Sequence, residues 1–393
     1  ACLLTDERMV LRNLPNIRDV RNMIQIMKHL GVRVEKLGPN SVAVQAKELT
    51  DTALDPEVCR QIRASILFAG PTLARSGHIQ LPPPGGDVIG RRRIDTHLQA
   101  LMALGAKAKR NGGYELSARR LKGTTIFLDE ASVTGTENVL MAASLAKGQT
   151  TILNAACEPH VQELALCLNQ MGAQIEGIGS NQLFVHGTDK LRGTEWTVGP
   201  DHIEVGSMIG LAATTGGELT IQDAGVPHLH MSRVMFERLG VKIETRGDDV
   251  YVPGSQELHI RADMDGAIPK IDDGPWPHFP TDLMSIAIVI ATQSQGTVLI
   301  WEKMFDGRLF FVDRLIAMGA RIVLCDPQRA VIAGASRLHG GPLSSPDIRA
   351  GMALLIAALC AEGDSEIRNI EQIDRGYENI EGKLKTLGAQ VER

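Results

Sequence analysis

Aromatic residues make up only 4% of this 393-residue chain: 3 Trp, 3 Tyr and 8 Phe. A core of small and branched aliphatic side chains is therefore expected. No apolar run approaches the ~20 residues that a membrane-spanning helix requires; the longest, Met284–Ala291 and Ala350–Ala361, read as buried core helices. Neither sign of charge dominates. The balance of 41 basic and 46 acidic residues, net −5, gives no electrostatic basis for binding nucleic acid or a membrane surface. The six Cys stand at 2, 59, 157, 167, 325 and 360 without a Cys-x-x-Cys pair. That argues against a zinc site or a disulfide framework and for a reducing, cytoplasmic setting. No Gly-x-Gly-x-x-Gly and no P-loop signature stands between a strand and a helix, so dinucleotide and P-loop readings lack a motif. His228 and His230 have no third ligand at a metal-binding spacing, and no metal or other cofactor is expected. The opening ACLLTDER carries no basic n-region or cleavage pattern and reads as the end of a helix.

Glycine, by contrast, is abundant at 40 residues, and part of it is periodic. A Leu/Met-Gly-Ala/Val step recurs at Gly31, Gly105, Gly172, Gly240, Gly319 and Gly388, roughly every 70 residues. That period exceeds a solenoid repeat and suits a small folded unit. An apolar stripe at helical spacing precedes each glycine, as in Val161, Leu164, Leu168 and Met171. The glycine is expected to end that helix in a left-handed conformation. A strand, a turn and a second strand follow; strands are read at Gln174–Ile175, Lys242–Ile243 and Arg321–Leu324, and turns at Gly38-Pro39-Asn40 and Asn111-Gly112-Gly113, for example. Ahead of each amphipathic helix lie another strand and a helix apolar on all sides, such as Val139–Ala146, Met208–Thr214, Met284–Ala291 and Met352–Leu359. All-round hydrophobicity places that helix inside its unit. Six such units divide into three plus three, with domains at 1–199 and 200–393, and the first unit reads as truncated.

A polar stretch read as a loop leads into each buried helix: Cys59–Ser65, Ser132–Asn138, Pro200–Gly206, Phe279–Asp282 and Pro346–Ala350. Helix N-termini favour anions through free N–H groups and the helix dipole. Several of these segments carry arginine, namely Arg63, Arg349 and, in IDRGYE, Arg375. One loop is unusually long. LPPPGGDVIGRRRIDTH, Leu81–His97, has three prolines and two glycines that no regular element can continue, with Asp87 at its tip and Arg91-Arg92-Arg93 at its end. It reads either as a lid over a phosphorylated ligand or as a surface loop with a solvated charge run.

PGGDVIGRRRIDTH, SVTGTEN, FPTD, PDIRA and IDRGYENIE with the following Leu-Gly-Ala, taken together and in this order, resemble the motifs of the UDP-N-acetylglucosamine enolpyruvyl transferases, within the EPSP synthase superfamily. The resemblance covers essentially the whole chain. It implies an α/β fold: a two-domain inside-out α/β barrel of six βαβαββ-type units, three in each domain. It implies transfer of the enolpyruvyl group of phosphoenolpyruvate to the 3-hydroxyl of UDP-N-acetylglucosamine, the first committed step of peptidoglycan synthesis. The partners implied are those two small molecules; the oligomeric state is left open.

Residue by residue, the resemblance implies the following. Asp87 takes the lid position of the general acid, a cysteine in many members and an aspartate in some, and is expected to need a pKa raised by burial. A thiol there reacts with the epoxide fosfomycin and a carboxylate is a poorer target, so resistance is expected. Asp282 matches the carboxylate at the sugar 3-hydroxyl, a general base; helix N-capping is the other role open to it. Arg92, Arg349 and Arg375 match the cluster that grips phosphoenolpyruvate, and Arg63 a further substrate contact. Arg92, Arg93, Ile94, Asp95, Thr96 and His97 match a strand-like segment along the uridine. Ser132, Val133 and Thr134 match a loop beside the diphosphate, and Met304 and Phe305, in MFDGR, a segment at the sugar. Arg93 stands where a proline is common and Glu130 where some members have lysine, which makes the diphosphate site less positive. Two alternatives follow: a binding paralogue without turnover, and a transferase for another nucleotide. The family's Lys-Asn pair is expected ahead of Ala1, and the activity of the chain as it stands depends on it.

Overall fold

The computed structural model describes residues 1–393 except Asn111, so the turn expected at Asn111-Gly112-Gly113 lies outside the described residues. The chain forms two compact units. One comprises Ala1–Asp87 with Arg92–Gly199, the other Val88–Arg91 with Pro200–Arg393.

In the first unit three small sheets repeat one theme, a strand followed by a helix and an antiparallel hairpin. Arg8–Arg12 pairs antiparallel with Ser41–Gln45, which pairs with Arg33–Gly38, and Glu195–Thr197 returns to lie parallel on the other side. His78–Leu81 pairs with the hairpin of Lys107–Arg110 and Tyr114–Ser117. Thr125–Phe127 runs parallel to Gln149–Leu153, which pairs with the hairpin of Gln174–Glu176 and Gln182–His186. Two helices, Ala69–Ser76 and Val133–Ala143, pack together beneath them. Their approach is set by Gly70. Its amide donates to Asn138 Oδ1 at 2.7 Å, and a Cβ there would stand 2.3 Å from the Asn138 carbonyl oxygen. Pro71 falls in the first turn, where no helical N–H is missed.

In the second unit the helices His202–Thr215, Met284–Gln293 and Ile348–Cys360 pack on one another. Gly206 and Gly210 permit it: a Cβ on either would meet Leu283 at 2.7 Å or Ile286 at 2.4 Å. Three sheets surround them. Leu219–Ile221 pairs with the hairpin of Glu244–Arg246 and Asp249–Val252. Lys270–Asp272 runs parallel to Gly296–Trp301, which joins the hairpin of Ile322–Asp326 and Arg329–Gly334. Pro342–Ser344 runs parallel to Glu366–Arg368. Among the described residues the six sheets stay separate. Each unit thus keeps helices inside and small sheets outside, an inside-out α/β arrangement in which no sheet closes on itself among the described residues.

All six repeat glycines adopt positive φ, from +88° to +106°, and end their helices as the repeat implies. Two expectations shift. The strand read at Lys242–Ile243 lies at Glu244–Arg246. The polar stretches SVTGTEN, PDHIEVG and PDIRA are helix caps and first turns rather than loops. Ser132 accepts from the Gly135 amide, and Asp201 from those of Ile203 and Glu204, so the helices begin at the caps. Among the described residues no helix is long and apolar enough to cross a membrane, and no disulfide joins the six cysteines.

Candidate active site

Each unit carries its own cluster of the expected residues. In the first, the cluster is built around arginines and two helix N-termini. Arg63 opens a 3₁₀ turn, Arg63–Phe68, and its Nη2 donates to the carbonyls of Arg92 at 3.2 Å and Arg93 at 2.8 Å. Burial, and then the charge of Arg92, pull its pKa down to about 10, against a small opposing effect of Glu130. Two guanidinium groups are therefore held close together, an arrangement that an anion would relieve. The long loop ahead of Arg92 is drawn down onto them by its glycines. A Cβ on Gly85 would stand 1.7 Å from the Arg60 carbonyl oxygen. Gly86, at φ +110°, leaves 2.8 Å to Arg63 Cβ and 3.1 Å to Arg92 Nη1. Asp87 follows at once and is half-buried.

The stretch 92–97 departs from its expected strand-like form. Asp95, Thr96 and His97 are the first turn of helix Asp95–Ala103, entered through the buried Ile94. Asp95 and Asp129 explain why. Arg93 donates to Asp95 at 2.9 Å and to Asp129 at 3.0 Å, and Thr96 donates to Asp129 at 2.7 Å, which closes the backbone into a helical turn. The Thr96 hydroxyl, with the Arg93 charge, holds the Asp129 carboxyl below the usual range. His97 is 1% exposed and shares a 2.7 Å hydrogen bond with Thr134 Oγ1. Burial, then the nearby Arg63, push its pKa down to about 4, so it is neutral at pH 7. Ser132, Val133 and Thr134 are the cap and first turn of helix Val133–Ala143 and not a loop. The His97–Thr134 bond thus ties two helix N-termini together, both with N–H groups suited to an anion.

In the second unit the centre is Asp282. It lies in the 3₁₀ turn Thr281–Leu283 that enters the buried helix. Its Oδ1 accepts from Arg308 Nη2 at 2.8 Å and its Oδ2 from Arg349 Nε at 2.9 Å. Arg349 stands in the first turn of helix Ile348–Cys360, whose cap Asp347 accepts from the amides of Arg349 and Ala350. Burial alone would lower the Arg349 pKa. The charge of Asp282, then the Tyr377 hydroxyl and the charge of Asp201, outweigh it, and the net shift is upward, so the guanidinium stays charged. Arg349 Nη1 also donates to the Tyr377 hydroxyl at 3.4 Å, itself 2.8 Å from Ser207 Oγ. Arg375 ends the 3₁₀ turn Ile370–Arg375 two residues before Tyr377, is 7% exposed, and donates to Gln372 at 3.2 Å. Met304 and Phe305 donate their amides to Glu302 Oε1 at 3.1 and 3.0 Å, and the Arg308 guanidinium lies 5.3 Å from the Phe305 ring.

The structure therefore joins Asp282 and Arg349 directly, and links Met304 and Phe305 to them through Glu302 and Arg308. Arg375 stands two residues before Tyr377, whose hydroxyl accepts from Arg349. Arg308, Glu302 and Tyr377 were missed in the sequence. Arg308 lies inside the MFDGR motif, and an arginine next to two apolar positions was its only signal; Glu302 had none.

Over residues 1–384 the chain matches the family described as EPSP synthase (3-phosphoshikimate 1-carboxyvinyltransferase). It is similar to a protein named UDP-N-acetylglucosamine 1-carboxyvinyltransferase from Bradyrhizobium diazoefficiens, 56% identical over 393 residues, covering 100% of this chain and 91% of that one. A protein of the same name from Treponema denticola is 54% identical over 392 residues, covering 100% and 92%. Among solved structures, the enolpyruvyl transferase NikO from Streptomyces tendae aligns with a TM-score of 0.87 over 100% of this chain and 91% of that chain, at 22% identity. At that identity the likeness speaks for the fold alone.

Proposed function

This chain belongs to the EPSP synthase family, and on that premise we propose that it transfers the enolpyruvyl group of phosphoenolpyruvate to the 3-hydroxyl of UDP-N-acetylglucosamine, with release of phosphate. That reaction commits the sugar nucleotide to peptidoglycan synthesis. Relatives of that name at 54–56% identity support the acceptor and do not favour a different nucleotide or a paralogue without turnover. The observation that carries the chemical reading is Asp282 bound at once to Arg308 and Arg349. A carboxylate between two guanidinium groups is a weak base. An incoming carboxylate or phosphate takes over the arginines, and Asp282 is released to accept a proton from a hydroxyl.

In this reading Asp282 takes the 3-hydroxyl proton as that oxygen bonds to C2 of phosphoenolpyruvate. Asp87 delivers a proton to C3, turning the methylene into a methyl group. The product is a tetrahedral ketal that still holds its phosphate. Loss from C2 of phosphate, which carries off the proton held by Asp282, and of a C3 proton, returned to Asp87, restores the double bond and leaves the enolpyruvyl ether. Arg63, Arg92, Arg349 and Arg375 stabilise the anionic groups throughout. The N-termini opened by Asp95–His97 and Ser132–Thr134 suit the nucleotide diphosphate, and Met304 and Phe305 the sugar. The protein is proposed to act in the cytoplasm on these two small molecules, with domains at 1–199 and 200–393.

The test is phosphate release from the two substrates, with the ether identified by mass spectrometry. Binding of UDP-N-acetylglucosamine without turnover, or release only with another acceptor, would overturn the proposal.

A further inference from the structure

Glu302 directly follows strand Gly296–Trp301 and its side chain is fully buried. A carboxyl group in that position is costly unless donors surround it. They do, and each comes from a segment that already matters. The Thr281 hydroxyl, beside Asp282, lies 3.0 Å from both carboxyl oxygens. The amides of Met304 and Phe305 donate to Oε1 at 3.1 and 3.0 Å. Arg308, which holds Asp282, brings Nε to 3.9 Å from Oε2 and is itself only 5% exposed. The Glu302 amide is anchored in turn to the Gln328 carbonyl at 2.8 Å.

On the far side stands a second buried acid. Asp273, 1% exposed, accepts from the Lys303 amide at 2.6 Å through Oδ1, while its buried Oδ2 meets no donor. A proton on Glu302 directed at Asp273 supplies one. Burial, then Asp273, raise the Glu302 carboxyl well above the usual range, as that arrangement requires. The neighbouring charges are otherwise accounted for, since Lys270 and Lys303 both pair with Asp272.

We propose that Glu302 is a positioning residue for the transfer reaction, fixing Asp282 through Thr281 and Arg308, and the Met304–Phe305 backbone through its two amides. It touches no substrate. It makes one rigid body of the proposed base, the base's arginine partner and the sugar-contacting segment. The inference rests on the function proposed above.

Two variants separate this role from simple support of the fold. Glu302→Gln keeps the acceptor oxygen for the hydroxyl and the amides, and its NH₂ can donate to Asp273. Glu302→Ala removes every acceptor. With active sites counted by calorimetric binding of UDP-N-acetylglucosamine, Glu302→Ala should lower kcat by about 100-fold, the cost of a small misplacement of a reacting group. The KM for phosphoenolpyruvate should change far less. Glu302→Gln should restore most of the loss, and amide exchange at Met304 and Phe305 should accelerate only in the alanine variant. Wild-type kcat in Glu302→Ala, or a Gln variant as impaired as the Ala variant, overturns the proposal. Should Glu302→Ala not fold, Thr281→Val carries the same expectation of a lowered kcat. A wild-type protein that releases no phosphate defeats the proposed function instead, and amide exchange in the Ala and Gln variants still decides whether Glu302 holds the segment.

Discussion

Asp282 and Arg349 meet at 2.9 Å although 67 residues separate them in the chain, and the contact joins the entries of two buried helices, Met284–Gln293 and Ile348–Cys360. Each helix alone offers a polar residue at an apolar rod's first turns. Packed together, they offer an ion pair whose arginine is 17% exposed and whose carboxylate is 34% exposed, accessible enough to exchange partners with a ligand.

Replacing Asp282 tests that exchange. Asp282→Asn keeps the size but removes the base and the counter-charge for Arg308 and Arg349. A general base contributes roughly 10²–10⁴ in rate, so kcat should fall by about that factor. Two charged hydrogen bonds are weakened, with a loss of stability of about 1–3 kcal/mol. Steady-state kinetics and urea unfolding check the two halves. An unchanged kcat would remove Asp282 from the chemistry.

The lid glycines make a second, separable prediction. Gly86 adopts φ +110° with Arg63 and Arg92 against it. An alanine there is strained by about 1–3 kcal/mol and must push the arginines aside. Because the segment has no regular secondary structure, the expected effect is chiefly on function. In Gly86→Ala, kcat/KM for phosphoenolpyruvate should drop about tenfold or more, as 1.4 kcal/mol converts to a factor of ten, and the melting temperature should fall by a few degrees. A normal kcat/KM would show that the loop tolerates a different path over Arg63.

How much of this was open to reading depended on where the partners lie. The six-unit repeat was legible because the helix-ending glycine is a local requirement, repeated at Gly31, Gly105, Gly172, Gly240, Gly319 and Gly388 with positive φ each time. The buried helices after residue 200 were legible from their all-round hydrophobicity. Helix Ala69–Ser76 was not read, and its close contact with Asn138 through Gly70 appears only once the chain is packed. Ser132–Asn138 read as a loop since a cap and a polar first turn look like one. In the site, the arginines and Asp282 stand in recognisable motifs. Glu302 does not. In TRP-GLU-LYS order it looks like any surface glutamate, and only packing brings Thr281, Met304, Phe305 and Arg308 around it.

His97 gives a prediction for stability against pH. Its folded pKa, about 4, lies below the ordinary 6.5, so the native state disfavours the proton that the unfolded chain accepts. The stabilisation is fully present above pH 6.5 and is lost as the pH falls toward 4. A shift of this size corresponds to about 3 kcal/mol. Urea unfolding at pH 7 and at pH 4.5 should therefore differ by up to that amount on account of this residue, and His97→Gln should flatten the difference. A variant with the same pH dependence as the wild type would place the acid sensitivity elsewhere.

On the function proposed above, the identity of residue 87 decides the response to fosfomycin. Opening its epoxide requires a nucleophile on the lid, and a thiolate is far better at this than a carboxylate. With Asp87 at that position, the protein should lose no activity on preincubation with fosfomycin at concentrations that inactivate an enzyme bearing a lid cysteine. Asp87→Cys should gain time-dependent inactivation and a mass increase equal to one molecule of the epoxide, because ring opening adds the whole reagent to sulfur with no leaving group. The same variant tests the proton-transfer role. A thiol can also protonate C3, so Asp87→Cys should retain phosphate release, whereas Asp87→Ala should lose it by roughly 10²–10⁴, the range for a general acid. If the wild-type protein is itself labelled and inactivated, Asp87 is not the residue that the epoxide meets. If Asp87→Ala keeps full activity, another group delivers the proton and the lid serves only to cover the site.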